Sequence, residues 1–159
     1  MTRRFAELYG RVIALDVSEE MLRLCRDNLA GADNVEWVLG SGNDLAVIPD
    51  GSVDDVFSYI TLQHVPSRRM VLRYLEEAGR VLRPAGRGAL QVRHPGLLPS
   101  TIDITGHLVH AAQGRRVWSP EWRGTRIRAS SLLRAASRSG ARVELRPRGR
   151  RHLWVLLWR

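Results

Sequence analysis

The carboxylate of Asp16 stands where an open α/β sheet would bind a ligand. It follows an apolar run over residues 12–15, which has the length and composition of a strand buried on both faces, and it precedes a helical pattern. Ligands of such sheets bind beyond the carboxyl ends of the strands, where an acid can accept bonds from a ribose diol. An equally compatible alternative is that Asp16 only caps backbone N–H groups in the turn. Nicotinamide enzymes also use an acid here, so Asp16 alone does not choose the cofactor.

His64 is the second residue whose type and position suit catalysis. It follows a predicted strand over residues 53–60. An unperturbed imidazole titrates near neutrality, which suits a general base that removes a proton from a substrate hydroxyl. The favoured alternative is a structural histidine in the loop Gln63-His64-Val65.

The other histidines and tryptophans give weaker signals. His107 and His110 lie three residues apart on a predicted helix over residues 102–112. No third ligand accompanies them, so we predict no metal site. Trp118 and Trp122 either line an aromatic substrate pocket or close a core, and the second role is the more common one.

These side chains depend on alternating strands and helices for their positions. Ser18 is the predicted N-cap of the helix that follows Asp16. Strands separated by helices of this length make right-handed parallel crossovers, the build of an open α/β sheet. Residues 142–145 and 152–158 are spaced as an antiparallel hairpin at a sheet edge. The other predicted strands cover residues 11–16, 35–39, 53–60 and 88–92, and the predicted helices cover 3–9, 19–29, 67–82 and 129–139.

Four sequence segments share their order and spacing with one enzyme family. They are VIALDVSEEML at 12–22, NVEWVLGSGNDL at 34–45, PDGSVDDVFS at 49–58 with LQHV at 62–65, and RVLRPAG at 80–86. Together they resemble class I S-adenosylmethionine-dependent methyltransferases, most closely the small-molecule group that acts on ubiquinone precursors. The resemblance implies a Rossmann-like, mostly parallel open sheet with helices on both faces and an antiparallel C-terminal hairpin.

The resemblance also implies a cofactor, S-adenosylmethionine, and a set of residues that bind it. In the family the acid at the strand end binds the ribose hydroxyls, and the next hydrophobe and the methionine pack near the adenine. His64 lies where the substrate and the methyl group would meet. The residues expected to bind the cofactor are Asp16, Val17, Met21, Ser41, Gly42, Leu45 and Ile60.

Two departures from the family pattern affect these expectations. The family usually has an acid at the position of Ser41, where it bonds the adenine amino group, so we expect weaker affinity. The family's first strand and its Gly-x-Gly-x-Gly loop are absent, and residues 1–9 resemble the helix after that loop. In this fold the first strand lies between the strands at 12–15 and 53–60. Those two strands therefore either pair directly or leave unpaired groups that cost about 1–3 kcal/mol each.

The predicted function is methyl transfer from S-adenosylmethionine to oxygen, nitrogen or carbon of a small molecule, impaired in this chain. Residues 1–159 are predicted to form a single, N-terminally truncated methyltransferase domain, and the less regular residues 95–128 are expected on the substrate side. The alternative is a non-catalytic methyltransferase-like scaffold or interaction domain that has lost cofactor binding.

Composition limits the partners of the chain. All 25 basic residues are arginine, the net charge is +9, and residues 91–159 hold 14 Arg against 3 acids. We interpret this half as a solvated basic face and consider nucleic-acid binding the less favoured alternative. No apolar run reaches the roughly 18–20 residues that span a membrane, and no signal peptide is evident. The single Cys25 fits a reducing cytoplasm, and the sequence does not specify an oligomeric state.

Overall fold

The computed structural model describes residues 1–94, 125–149 and 151–159. Within them the chain divides into two compact units, Met1–Val47 and Ile48–Arg159. The predicted helix at 102–112, the pair His107 and His110, and the pair Trp118 and Trp122 all lie outside the described residues. Among the described helices, none combines the length and the apolar character that a membrane span requires.

The first unit is a β–α–β crossover preceded by a short helix. Helix α1 (Thr2–Leu8) leads to strand β1 (Val12–Asp16), and helix α2 (Glu19–Asn28) connects β1 to strand β2 (Val35–Leu39), which pairs with β1 in parallel. The Ser18 hydroxyl accepts a hydrogen bond from the Met21 N–H at 3.3 Å, which confirms the predicted N-cap. Helix α2 contacts both strands and buries Leu22.

The second unit is built on a four-stranded mixed sheet. Its strands are β3 (Val53–Ser58), β4 (Leu82–Arg93), β5 (Arg142–Arg148) and β6 (His152–Trp158), in the spatial order β3–β4–β6–β5. Strand β4 is parallel to β3 and antiparallel to β6, and β5 and β6 form an antiparallel pair. The predicted C-terminal hairpin is confirmed, with β5 at the edge of the sheet.

Two helices pack on this sheet and enclose the core of the second unit. Helices α3 (Arg68–Val81) and α4 (Ala129–Arg138) contact each other, and they contact β4 and β5 respectively. Strand β6 alternates: Leu153, Val155 and Leu157 are buried, whereas the residues between them are half-buried. This period of two marks one face packed in the core and one face that is more open.

The chain enters β4 earlier than the sequence predicts. The sequence predicts a helix over residues 67–82 and the next strand over 88–92. Instead α3 ends at Val81 and β4 begins at Leu82, because Leu82 already pairs with Val53 of β3 before the register shifts. Ala85, with a positive φ of 67°, lies within the strand at this irregularity.

Strands β1 and β3 each have a parallel partner within their own unit. Within the described residues, β1 pairs with β2 in one sheet and β3 pairs with β4 in the other. Each strand therefore uses the parallel partner that its own crossover supplies.

Candidate functional site

The first predicted site residue, Asp16, lies at the carboxyl end of the parallel pair β1–β2. Its backbone carbonyl accepts a hydrogen bond from the Gly40 N–H at 2.8 Å, so the chain leaving β2 starts beside the tip of β1. The half-buried Asp16 carboxylate accepts the Ser18 N–H at 2.9 Å through Oδ1. A carboxylate offers about four acceptor sites, so capping this turn leaves capacity for a ligand. The two interpretations of Asp16 are therefore compatible.

The bend after β2 needs glycine at two positions. Gly42 has φ +79°, and a Cβ atom there would lie 3.3 Å from Cγ1 of Val17. A Cβ atom on Gly40 would lie 2.7 Å from the Leu15 side chain. Left-handed backbone and close approach both disfavour larger residues. The bend is thereby held directly against the tip of β1.

Two apolar side chains beside Asp16 are unusually exposed. Val17 is 59% exposed and Met21 is 49% exposed. Val17 follows Asp16 directly in the chain. Met21 is linked to the acid through Ser18, which donates its N–H to Asp16 and accepts the Met21 N–H. An exposed apolar pair next to a carboxylate is suited to a ligand with a flat apolar part and a polyol part.

Ser41 is bonded within its own loop. Its hydroxyl donates to Oδ1 of Asp44 at 3.0 Å and accepts the Asn43 N–H at 3.1 Å. The Asp44 carboxylate also accepts the Ala46 N–H at 3.3 Å, and Leu45 between them is half-buried. The sequence analysis includes Asp44 in a motif but assigns it no role. Its position in the loop where the family usually has an acid is the sequence feature that could have identified it.

In the second unit, Ile60 and His64 follow β3. Ile60 has φ +66°, a rare conformation for a β-branched residue, and it is 45% exposed. Its N–H donates to Oε1 of Gln91 at 3.2 Å, and Gln91 on β4 is only 5% exposed. A buried amide therefore holds this strained segment, and such strain is often found at functional sites.

His64 is linked to a second histidine through an amide. It is an exposed residue in a short 3-10 helix, Leu62–His64, whose first residue is buried. The Gln63 amide donates from Nε2 to Nε2 of His64 at 3.1 Å and accepts at Oε1 from Nε2 of His152 at 3.1 Å. Burial is the main cause that lowers the pKa of His152, and three neighbouring arginines lower it further. His64 Nε2 is thus an acceptor here, so a base acting through this atom must first leave Gln63.

An aromatic cluster lies on the more open face of the second sheet. The Tyr59 and Trp154 rings stack at a centroid distance of 5.8 Å and an interplanar angle of 11°. Phe57 is also 5.8 Å from Trp154, tilted by 37°. Sequence reasoning placed its aromatic pocket at Trp118 and Trp122 and missed this cluster. The alternation along β6 was the signal that put Trp154 on the open face.

Five of the six predicted cofactor residues of the first unit lie at one strand edge. Ser18 links Asp16 to Met21 by hydrogen bonds, the Gly42 turn approaches Val17, and Ser41 precedes Gly42 in the chain. The sixth residue, Leu45, lies farther along the loop after β2. Ile60 and His64 belong to the second unit. In the described part of the chain, no group of three or more His, Cys, Asp or Glu residues is placed to hold a metal ion.

Sequence relatives indicate one enzyme family. A family model described as a methyltransferase domain matches residues 1–90. A demethylmenaquinone methyltransferase from Listeria monocytogenes is 41% identical over 80 residues, which cover 49% of this chain and 32% of that protein. An uncharacterised 37.1 kDa transposon protein from Streptomyces fradiae is 38% identical over 110 residues, covering 68% of this chain and 30% of that protein. The chain thus spans about a third of the length of these curated relatives.

A solved structure confirms the predicted fold class. The SAM-dependent methyltransferase from Methanosarcina mazei has a TM-score of 0.70 and 14% identity, covering 100% of this chain and 86% of that one. The α/β, Rossmann-like fold is therefore shared. The match to a methyltransferase-domain family implies S-adenosylmethionine as the cofactor. Because the family model covers more than half of its 159 residues, this chain belongs to the methyltransferase-domain family.

Proposed function

We propose that this chain belongs to an enzyme that transfers a methyl group from S-adenosylmethionine to a small molecule, and that its first unit holds the adenosine. The observation that supports this most directly is the half-buried Asp16 at the β1 tip, with the Gly42 turn packed against Val17. In this proposal Asp16 accepts the ribose hydroxyls, and Val17 and Met21 flank the adenine.

The loop after β2 supplies the adenine-recognition residues of this proposal. Ser41 and Asp44 already share a hydrogen bond, so the pair presents one carboxylate close to the predicted serine. We propose that Asp44 provides the acceptor for the adenine amino group that Ser41 lacks. Leu45 packs beneath the base in this proposal.

On the acceptor side, His64 is the proposed general base. A methyl acceptor that is already nucleophilic needs mainly in-line positioning, so the base matters for a hydroxyl acceptor. Because Nε2 of His64 accepts a bond from Gln63, proton removal through this atom requires that bond to open. In this proposal, substrate binding opens that bond and leaves His64 able to accept the proton.

The alternative is a non-catalytic scaffold with the methyltransferase fold. No Gly-x-Gly-x-Gly pattern occurs in residues 1–159. The family uses that loop to approach the methionine part of the cofactor, so we expect these 159 residues alone to bind the cofactor weakly. This expectation favours the scaffold only if adenosine recognition is absent as well.

Ligand-observed NMR with the 159-residue protein tests the proposal. We expect saturation transfer to the adenine and ribose protons of S-adenosylhomocysteine, with displacement by adenosine and little displacement by methionine. In this proposal the first unit binds the adenosine part of the cofactor, so adenosine should displace S-adenosylhomocysteine more effectively than methionine does. Absence of any adenosine-competed signal, also in a form extended upstream where the reading frame continues, would favour the scaffold. Transfer of a labelled methyl group by the extended form would exclude it.

A further inference from the structure

Basic residues form a continuous row across the strands of the second sheet. Arg93 of β4 is the register partner of His152 on β6, and His152 is in turn the partner of Arg148 on β5. Arg126 forms a bridge with Arg93, which extends the row beyond β4. Register partners present their side chains on the same face, so these four residues lie side by side.

This row lies at the ligand-binding edge of the sheet. Strand β4 ends at Arg93 and β5, which runs in the same direction, ends at Arg148. The antiparallel β6 begins at His152, so its first residue falls at that same edge. In open α/β sheets, ligands bind outside the carboxyl ends of the parallel strands.

The arginines near the row act electrostatically on His152. After burial, the causes that lower the pKa of His152 are the charges of Arg93, Arg151 and Arg148, in that order. The guanidinium groups are therefore close enough to disfavour one more positive charge. Charges of this sign attract an anion to this edge of the sheet.

An aromatic surface and the proposed base adjoin the row. Trp154 lies two residues after His152 on β6, so both are on the same face, and Trp154 stacks on Tyr59. The Gln63 amide accepts from His152 and donates to His64. A cation row, an aromatic pair and an imidazole are thus contiguous within the second unit.

We propose that this row binds an anionic group, a carboxylate or a phosphate, carried by a planar methyl acceptor whose ring packs beside Tyr59 and Trp154. The arginine row supplies charge-assisted hydrogen bonds to the anion, and arginine pairs bidentately with both groups. That the bound molecule is a methyl acceptor rests on the proposed function, whereas anion binding at the row does not. The aromatic pair beside the middle of the row favours a small ring over the backbone of a nucleic acid.

Four probes and four variants, one of them used only for assignment, test this inference without any cofactor. Phenyl phosphate, benzoate, inorganic phosphate and uncharged benzyl alcohol are titrated into the protein while the tryptophan indole N–H signals are followed by NMR, with Trp154 assigned from Trp154→Phe. Arg148→Gln and Arg93→Gln remove charges from the row. The matched control is Arg142→Gln, which removes an exposed arginine from the opposite end of β5.

We expect phenyl phosphate or benzoate to bind at least about tenfold more tightly than benzyl alcohol and to shift the Trp154 signal. Arg148→Gln should weaken that binding roughly ten- to hundredfold, and Arg142→Gln less than about twofold. If the half-buried Arg93 variant does not fold, the exposed Arg148 variant still decides the test. Tighter binding of phenyl phosphate than of benzoate assigns a phosphate, the reverse assigns a carboxylate, and inorganic phosphate shows what the ring adds.

Three results would overturn the inference: equal loss in Arg142→Gln and Arg148→Gln, equal binding of charged and uncharged probes, or competition of phenyl phosphate by a short oligonucleotide with higher affinity. Equal loss in the two arginine variants would mean that the net positive charge of the protein attracts the anion without a specific site. Failure of S-adenosylhomocysteine to bind, with phenyl phosphate binding intact, would remove the proposed function and leave this anion site. The two proposals therefore fail separately.

Discussion

Replacing Asp16 separates its capping role from its proposed ligand role. Asp16→Asn keeps an oxygen that can accept the Ser18 N–H, which lies 2.9 Å from Oδ1, and removes only the negative charge. Asp16→Ala removes both the charge and the acceptor. If Asp16 binds a ribose diol, the two variants should lose ligand affinity together but differ in stability.

The expected magnitudes follow from these bonds. A hydrogen bond to a charged group contributes about 1.5–3 kcal/mol, so loss of the carboxylate should weaken adenosine binding roughly ten- to 150-fold. Asp16→Asn should change the free energy of unfolding by less than about 1 kcal/mol, mainly through the lost charge near the N-terminus of α2. Asp16→Ala leaves the half-buried Ser18 N–H without its partner and should cost about 1–2 kcal/mol.

Ligand-observed NMR with S-adenosylhomocysteine and urea unfolding measure the two effects on the same samples. Asp27→Asn is the matched control, because it removes an exposed carboxylate that pairs with Arg23 on the same helix. It should leave adenosine binding unchanged. Wild-type affinity in Asp16→Asn, together with reduced stability in Asp16→Ala, would show that Asp16 is only a cap and would refute the reasoning.

Three further perturbations give distinct expectations. Gly79→Ala should lower the free energy of unfolding by about 1–3 kcal/mol in a urea titration, because its Cβ would lie 1.8 Å from Oγ of Ser139. Adding Ser139→Gly to this variant removes the clash and should restore most of the lost free energy of unfolding. Gly42→Ala should lower the free energy of unfolding by about 1–2 kcal/mol and weaken adenosine binding. Gly31 also has a positive φ, +97°, but no atom lies near its added Cβ, so Gly31→Ala should lower the free energy of unfolding by a similar amount and leave adenosine binding unchanged. The pKa of His152 is lower in the folded protein than its usual 6.5, so the unfolded state binds the proton more readily. The free energy of unfolding should therefore be highest above about pH 6.5 and should decrease as the pH is lowered. Unfolding curves of His152→Gln across this range should show a smaller loss, and an identical pH dependence would contradict the assignment.

Local patterns were sufficient to predict most elements. The apolar run of β1, the Ser18 cap and the C-terminal hairpin were all predicted from neighbouring residues, and the structure confirms them. These features depend on periodicity and capping, which act within a few residues. The early start of β4 was missed because Pro84 and Gly86 are helix-stopping signals that do not reveal where the next strand begins to pair.

Hydrogen-bond partners within a loop were less accessible from the sequence. Ser41 was predicted as a substitute for a family acid, yet its hydroxyl bonds to Asp44 three residues later. Both residues were visible in the motif. Which side chain turns toward which depends on rotamers that the bend at Gly42 sets, and sequence spacing does not encode them.

The sequence by itself determined the type of most elements and the position of Asp16 at a strand end, because hydrophobic periodicity and caps are local properties. Only the tertiary structure placed His152 against Gln63, 89 residues away in the chain, and aligned Arg93, His152 and Arg148 in one row. Strand register decides such contacts, since a shift by one residue turns every side chain to the other face. Register arises from packing of the whole sheet on its helices, and no short stretch of sequence specifies it.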